Sequence, residues 1–368
     1  MGRSLIAVGI AWSFACLHVG CGGGTLSGGR AGTSGGSAGA AGSVVLTGMG
    51  GGVVPTGAGG DASTPCVQPM PAAPLPPNFL IALDTSATMN SLACATGCGS
   101  ASRWQIAVDA INATTSASEH LANWGLELFA DGTNACGTID AVGVPFGTGA
   151  AQRIAAALAS RTTFGGDLAT ASYRPTRNVV ATATGYLAGR TTANRSFVVL
   201  VTTGGPGCAA GASDPLTDDS TAAVQEIANA FNAGFPTFVV GLGTMDEPAQ
   251  ASLVDMAAAG EGKLGAAGHT GYAFVTSSSD LQGVLRSLVS DNEGCTFAVP
   301  PPPNDFVRRD SISVSIGGFE VPRDPGHVEG WDYVDATFTA IELYGTGCDV
   351  VKVDRTQPPA ITFRCLLF

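Results

Sequence analysis

The sequence predicts an α/β domain with a mostly parallel central sheet and helices on both faces, followed by a small disulfide-braced β module. Three observations carry this prediction. Continuously apolar runs of strand length recur along the chain, amphipathic helical patterns separate them, and after residue 294 alternating strand patterns with cysteines take over. Strands that alternate with helices of this length form parallel sheets with helices on both faces.

Residues 1–21 have the pattern of an export signal. Arg3 supplies a positive charge, and an apolar stretch from Leu5 to Leu17 follows it. This stretch is too short to span a bilayer as a helix but typical of a signal peptide. It ends at Gly20-Cys21, which resembles a bacterial lipobox. We therefore expect an exported protein whose Cys21 carries a lipid anchor in the outer membrane of the cell envelope; the alternative is ordinary signal cleavage.

Residues 22–65 form a glycine-rich linker of low complexity. Such a segment buries too little apolar surface to offset the entropy of ordering it, so we expect disorder. The linker would tether a folded head to the membrane.

The α/β domain is predicted over residues 66–294. A proline-rich segment leads into the first strand, Phe79 to Leu83, which is apolar throughout, as a strand covered on both faces should be. The other predicted strands are Trp124 to Phe129, Phe197 to Val201 and Phe238 to Leu242. Helical patterns lie between them, and Ser279 to Gln282 has the sequence of a capping box that opens the last helix.

Residues 295–368 are predicted as the β module. Ile312 to Ile316 alternates between apolar and polar residues, Gly317-Gly318 marks a turn, and Phe319 to Val321 returns, which is a hairpin signature. Thr337 to Tyr344 and Ile361 to Phe368 supply further strands.

Eight cysteines remain beyond the export signal, and an even number in an exported chain favours disulfides. Cys94 and Cys98 have the spacing of half a zinc site, but no second close pair completes it. The parallel strands would bring one group of four to the carboxyl edge of the sheet: Cys94, Cys98, Cys136 and Cys208. The other group lies at the opposite edge and in the β module: Cys66, Cys295, Cys348 and Cys365. We predict two bridges within each group.

The formal net charge of −12 and the absence of any Lys/Arg run exclude a nucleic-acid partner. An enzyme is also disfavoured. Among the histidines beyond the export signal, His120, His269 and His327, none falls at a strand end beside a nucleophile, and we expect solvated loop side chains. Glu127 interrupts an apolar strand, and we expect it to face a cleft or an edge rather than to act as a general acid.

The clearest motif follows the first strand, where Leu83 runs into Asp84-Thr85-Ser86-Ala87-Thr88. An apolar strand that enters this D-x-S-x-S-like pattern resembles the metal-ion-dependent adhesion site of von Willebrand factor A (vWA) domains. The resemblance covers residues 78–292 and implies a Rossmann-like vWA fold. With its export signal and its cysteine-containing module, the whole chain resembles vWA-domain lipoproteins of myxobacteria.

The resemblance implies that Asp84, Ser86 and Thr88 offer oxygen ligands to Mg²⁺ or Mn²⁺. Two departures make the site degenerate: Arg174 stands where the family has a threonine, and Thr203 stands where it has an aspartate. Neutral hydroxyls and one carboxylate beside a guanidinium should bind a divalent cation weakly or not at all. Alternatively, Asp84 caps its own loop or pairs with Arg174. Asp167 would restore a carboxylate if its loop reached the site.

The resemblance also implies the function. We expect a non-catalytic recognition or adhesion protein that binds a protein or another envelope macromolecule through the loops above the sheet. A structural scaffold of the cell envelope is the alternative, and an uncharacterised hydrolase ranks third.

Overall fold

The computed structural model describes residues 68–94, 96–97, 99–130, 136, 142–161, 173–190, 193–263, 272–304, 307–334 and 336–365. The predicted export signal and linker, together with Cys66, Cys98, Asp167 and His269, lie outside the described residues. None of the described helices is both long and apolar enough to cross a membrane.

Strands and helices are numbered here in chain order. The strands are β1 (Met70–Pro71), β2 (Ala73–Pro74), β3 (Asn78–Asp84), β4 (Asn123–Phe129), β5 (Ser196–Thr202), β6 (Thr237–Leu242), β7 (Ala273–Val275), β8 (Thr296–Ala298), β9 (Val307–Ile316), β10 (Phe319–Val321), β11 (Gly330–Tyr333), β12 (Ala340–Tyr344) and β13 (Ala360–Cys365). The helices are α1 (Arg103–Ser118), α2 (Ala150–Ala159), α3 (Thr176–Ala188), α4 (Ser220–Asn232), α5 (Glu247–Gly260), α6 (Ser278–Asn292) and α7 (Thr346–Val353). A short 3₁₀ helix spans Ala87–Asn90.

Five strands form the central sheet in the order β4-β3-β5-β6-β7, and every neighbouring pair is parallel. Strands β3 and β5 are buried along their whole length, because helices cover both faces. The sheet confirms the predicted α/β architecture. Since all five strands point the same way, their carboxyl ends meet at one edge, called here the carboxyl edge. Their amino ends meet at the opposite, amino edge.

Each face of the sheet has its own apolar core. Phe79, Ile81 and Leu83 of β3 pack with α1, α2 and α6 on one face. Leu80 and Ala82, which alternate with them, pack with α3, α4 and α5 on the other. Each fully buried leucine, isoleucine or phenylalanine contributes about 1.5–3 kcal/mol, so a continuously apolar strand is the sequence that this position requires.

Side-chain caps fix where several helices begin. Ser102 accepts a hydrogen bond from the Gln105 N–H at the start of α1, and Asp246 caps α5 in the same way. The predicted capping box at Ser279 is wrong by two residues: Ser277 is the cap of α6 and accepts the Asp280 N–H. The serine run Ser277-Ser278-Ser279 offers three possible caps, and only the backbone geometry selects among them.

The β module contains two four-stranded antiparallel sheets, in the orders β1-β13-β9-β10 and β11-β12-β8-β2. Residues of both sheets share one apolar core that includes Phe297, Val314, Trp331, Ile341 and Phe363. The hairpin around Gly317-Gly318 is present, with Phe319 paired to Ile316. Helix α7 lies within this module, where the sequence pattern had predicted only strands.

The proline-rich segment belongs to the β module, although the sequence analysis had assigned it to the α/β domain. Met70 and Pro71 pair with β13, while Ala73 and Pro74 pair with β8. Both short strands lie at sheet edges, where proline is tolerated because no further strand needs its missing N–H group. The described residues therefore begin and end in the β module, with the α/β domain between.

The amino edge of the central sheet adjoins this module within one compact unit, Ala58–Phe368. Arg195, just before β5, forms an ion pair with Glu342 of β12 at 2.5 Å. The Lys352 ammonium donates to the Asp291 carbonyl at 2.8 Å, and Arg355 pairs with Glu293. The Cys295–Cys348 disulfide ties α7 to the start of β8.

Candidate site at the carboxyl edge

Asp84 ends β3 at the carboxyl edge and is completely buried. Its Oδ1 accepts the Ser86 N–H at 2.7 Å, so the carboxylate caps its own loop. Its Oδ2 accepts the Thr203 N–H at 3.1 Å, the Thr203 hydroxyl at 2.8 Å and the Thr202 hydroxyl at 3.2 Å. Both carboxylate oxygens therefore serve as acceptors that join the loop after β3 to the end of β5.

Three hydroxyl groups continue this network. Ser86 Oγ lies 2.8 Å from Thr88 Oγ1, and Thr88 Oγ1 lies 2.6 Å from Thr203 Oγ1. The structure thus brings together Asp84, Ser86, Thr88 and Thr203.

Arg174 lies beside the hydroxyl groups and is held by the loop after β5. Its Nε donates to the Gly205 carbonyl at 2.8 Å, and its own carbonyl accepts the Gly207 N–H at 2.9 Å. Its Nη1 is 3.5 Å from Thr88 Oγ1. The guanidinium covers Gly204, where an added Cβ would come within 2.8 Å of Nη2. No ion pair joins Asp84 to Arg174, although the structure describes both residues.

A second arginine at this site, Arg103, was missed by the sequence analysis. It is buried, its Nη2 donates to the Thr244 carbonyl at 2.7 Å, and its Nε finds no hydrogen-bond partner within the described ranges. Burial lowers the pKa of the Arg103 guanidinium, the Asp84 carboxylate raises it, and the Arg174 guanidinium lowers it. One signal could have found it: Arg103 is the first residue of α1, and a cation is unfavourable at a helix N-terminus.

A disulfide braces the loops around this site. Cys136, beyond β4, is bonded to Cys208, which follows Gly207 in the loop that holds Arg174. Cys94, beyond β3, is also disulfide-bonded. Cys136–Cys208 and Cys295–Cys348 each join cysteines of one predicted group, while the other two predicted bridges involve residues outside the described ranges.

The residues present do not fit Mg²⁺ or Mn²⁺. Such ions prefer several oxygen ligands, carboxylates among them, and the cluster offers one carboxylate whose two oxygens already accept four hydrogen bonds. Two guanidinium groups add positive charge that repels a cation. Among the described residues there is no group of three or more His, Cys, Asp or Glu side chains that could hold a metal ion.

Two of the histidines lie within the described residues, His120 and His327, and both are exposed, as expected for loop side chains. The His327 side chain also has partners: its Nε2 lies 3.2 Å from Asp332 Oδ2, and its ring stacks on Tyr344 with the centroids 4.7 Å apart. Within the part of the chain that the structure covers, no histidine is hydrogen-bonded to a serine, threonine or cysteine side chain.

Glu127 is buried beside Ala82, and its Oε2 accepts the Gly143 N–H at 3.0 Å. Burial raises the pKa of Glu127 to about 7, and the Gly143 hydrogen bond opposes this shift. Among the described residues, no side chain forms a hydrogen bond or an ion pair with it.

No protein-family model and no curated protein matches the chain. Among solved structures, it is similar to the SpaC pilus adhesin of Lactobacillus rhamnosus GG, with 13% identity, a TM-score of 0.43, and coverage of 79% of this chain and 40% of the adhesin. The PilB minor pilin of Streptococcus sanguinis has 17% identity and a TM-score of 0.42, with coverage of 60% and 61%. The manganese-loaded TRAP protein of Plasmodium vivax has 11% identity and a TM-score of 0.41, with coverage of 68% and 88%. No argument about activity follows from similarities at this level.

Proposed function

We propose that this chain is an exported, non-catalytic recognition protein that binds another macromolecule through the carboxyl-edge loops of a vWA-type domain. The observation that carries the proposal is the half-buried Arg174 guanidinium, which hydrogen bonds and a neighbouring disulfide hold beside the Asp84 hydroxyl cluster. In open parallel sheets, ligands bind outside the carboxyl ends of the strands. A charged group fixed at that edge is suited to contact a ligand without changing it chemically.

Exposed apolar side chains flank the cluster. Leu92 follows the 3₁₀ helix beyond β3, and Leu216 lies in the loop between β5 and α4; they are 49% and 60% exposed. Exposed leucines beside a buried polar centre are typical of protein interfaces, which combine apolar contact with a few specific polar groups. The amino edge, in contrast, adjoins the β module.

The proposal also includes a lipid anchor that attaches the protein to a membrane. Lipidation at Cys21, followed by the glycine-rich linker, would hold the folded part at the outer membrane of a bacterial envelope. Mass spectrometry of the mature N-terminus tests this part, and an unmodified N-terminus at another residue would contradict it. We propose residues 1–21 as the signal and 22–65 as the linker. We propose the α/β domain over residues 78–294 and the β module over residues 70–74 and 295–368; the pairing of β1 with β13 and of β2 with β8 supports this division.

Site-specific photocrosslinking in the envelope tests recognition at the carboxyl edge. A photoreactive amino acid replaces Leu92 or Leu216 in two variants, and Phe319 or Val353 of the β module in two matched controls that are equally exposed or more so. We expect one discrete crosslinked species from positions 92 and 216 that is absent from positions 319 and 353.

Two outcomes would overturn this proposal in favour of the envelope scaffold. In the first, crosslinks form only from the β-module positions. In the second, the carboxyl-edge positions give no discrete product while the protein remains folded and exported.

A further inference from the structure

We propose that the Arg174 guanidinium binds a carboxylate group of the partner directly and without a metal ion. This inference rests on the proposed recognition function and names the ligand chemistry of the same site. It follows from the charge balance, the position of the guanidinium and its unused hydrogen-bond donors.

The charge balance of the cluster is positive. Asp84 supplies one negative charge, and both of its oxygens are already hydrogen-bonded within the protein. Arg103 and Arg174 supply two positive charges that lie close enough to influence each other, since Arg174 lowers the pKa of Arg103. Among the described residues of the cluster, one positive charge is left without a counter-charge.

The acidic residues of the neighbouring loop have partners of their own. Asp219 pairs with Arg177 at 2.9 Å. Asp214 accepts the Leu216 N–H, and Asp218 accepts the Ser220 N–H and hydroxyl. These carboxylates therefore stabilise the loop and the start of α4 through their own hydrogen bonds and ion pair.

The Arg174 guanidinium is held in place with donors to spare. A guanidinium has five N–H donors, and the Gly205 carbonyl takes the one on Nε. Nη1 makes only the 3.5 Å contact with Thr88, and Nη2 has no hydrogen-bond partner among the described residues. Because Nε and the Arg174 carbonyl are both fixed by the loop after β5, the planar fork is pre-organised, which reduces the entropy lost on binding.

The chemistry favours a carboxylate. A guanidinium fork binds a carboxylate through two parallel N–H···O bonds, and one uncompensated positive charge matches one negative charge. A phosphate dianion would call for more cations than the cluster offers, since Arg103 is buried against the Thr244 carbonyl and Arg177 is paired with Asp219.

Nuclear magnetic resonance of the arginine side chains tests the proposal on the full-length chain in the presence of EDTA. The probes are acetate, inorganic phosphate and, as an ionic-strength control, tetramethylammonium chloride. We expect acetate to shift the Arg174 Nε–Hε signal saturably and more strongly than phosphate does. Replacing EDTA with Mg²⁺ should leave the acetate affinity unchanged.

Two variants separate this role from a purely structural one. Arg174→Lys keeps the charge but loses the fork and the Nε–Hε signal, so acetate binding to it is followed through the backbone amide signals of Gly204 and Gly205. The substitution should weaken acetate binding about tenfold. Gly204→Ala keeps the arginine but places a methyl group where the guanidinium lies, so it should weaken binding as well. Arg364→Gln, an exposed arginine of the β module that pairs with Glu320, is the matched control and should bind acetate as the wild type does.

An unsaturable acetate shift, a shift that requires Mg²⁺, or stronger binding of phosphate would overturn the inference. Crosslinking from positions 92 and 216 that persists unchanged in Arg174→Lys would reject the carboxylate role but leave the recognition function standing. Saturable acetate binding with no crosslinked partner would reject the recognition function instead.

Discussion

Each end of strand β3 carries a buried polar side chain, and the two side chains have different kinds of partner. Asn78 begins the strand at the amino edge and Asp84 ends it at the carboxyl edge, and both side chains are at least 98% buried. At the amino edge, Asn78 Nδ2 donates to Ser196 Oγ at 2.9 Å, and Asn123 Nδ2 donates to Asn78 Oδ1 at 2.8 Å. These three residues are register partners on β3, β4 and β5, and all are neutral.

At the carboxyl edge, the buried side chain is the charged Asp84 rather than a neutral amide. Asp84 collects four hydrogen bonds from two loops, yet two arginines remain beside it. A buried polar group that serves only stability can be matched by neutral partners, since burying charge is costly. The comparison therefore indicates that the polar side chains at the amino edge serve to connect the strands. The side chains at the carboxyl edge keep an excess of positive charge that can bind a ligand.

The largest expected effect comes from Asp84→Ala. The substitution leaves four donors without their acceptor and two guanidiniums without a counter-charge, so we expect the free energy of unfolding to fall by about 3–5 kcal/mol. Urea denaturation of the purified chain measures this. Asp84→Asn keeps an acceptor of the same shape and should cost less than Asp84→Ala. An Asp84→Asn variant as stable as the wild type would show that the charge of Asp84 is unimportant.

Removing the disulfide beside the site should have the next largest effect. Cys136→Ser with Cys208→Ser opens a link between residues 72 positions apart, which should cost about 2–4 kcal/mol through the unfolded state. It should also weaken crosslinking from position 216. The matched variant, Cys295→Ser with Cys348→Ser, should lower stability without changing the crosslink. A crosslink lost equally in both variants would contradict the idea that the first bridge braces a binding surface.

At the amino edge, Asn78→Ala should cost about 1–3 kcal/mol, because Ser196 and Asn123 each lose a buried partner. Acetate binding at Arg174 should not change, because Asn78 and the carboxyl-edge site lie at opposite ends of the strand. Asn229→Ala on the exposed face of α4 is the control and should stay within about 0.5 kcal/mol of the wild type. A change in acetate binding in Asn78→Ala would refute the separation of the two edges.

Much of the α/β fold is predictable from the sequence, because the signals are local. The apolar runs at Phe79 and Phe197 have the length and composition of strands covered on both faces, and Gly234 ends α4 in a left-handed conformation at φ 90°. The group of Asp84, Ser86 and Thr88 also follows from spacing within one loop. These features need no knowledge of distant partners.

The features that the sequence did not reveal depend on long-range contacts. Strands β1 and β2 are two residues each, and their partners lie more than 200 residues away. Arg103 reaches Thr244 across 141 positions, and nothing in its local pattern specifies that contact. The way in which Arg174 sits over Gly204 depends on the loop after β5, so the charge balance of the site could be read only from the structure.

The smallest expected effect concerns Glu127, a buried carboxylate with one hydrogen bond among the described residues, from Gly143, whereas Asp84 accepts four. Burial raises the pKa of Glu127 to about 7, from 4.5. The folded state therefore holds this proton more tightly than the unfolded state, and stability should fall as the pH rises from about 4.5 to about 7 and then level off. Glu127→Gln stays neutral and can still accept the Gly143 N–H. At about pH 8 the variant should be more stable than the wild type by only about 1 kcal/mol, because nearby water screens part of the Glu127 charge. Near pH 4 the variant should be no more stable than the wild type. Urea denaturation at both pH values measures the difference, with the exposed Glu247→Gln as the control. If the stability gain of Glu127→Gln does not depend on pH, the charge of buried Glu127 is not what destabilises the wild type.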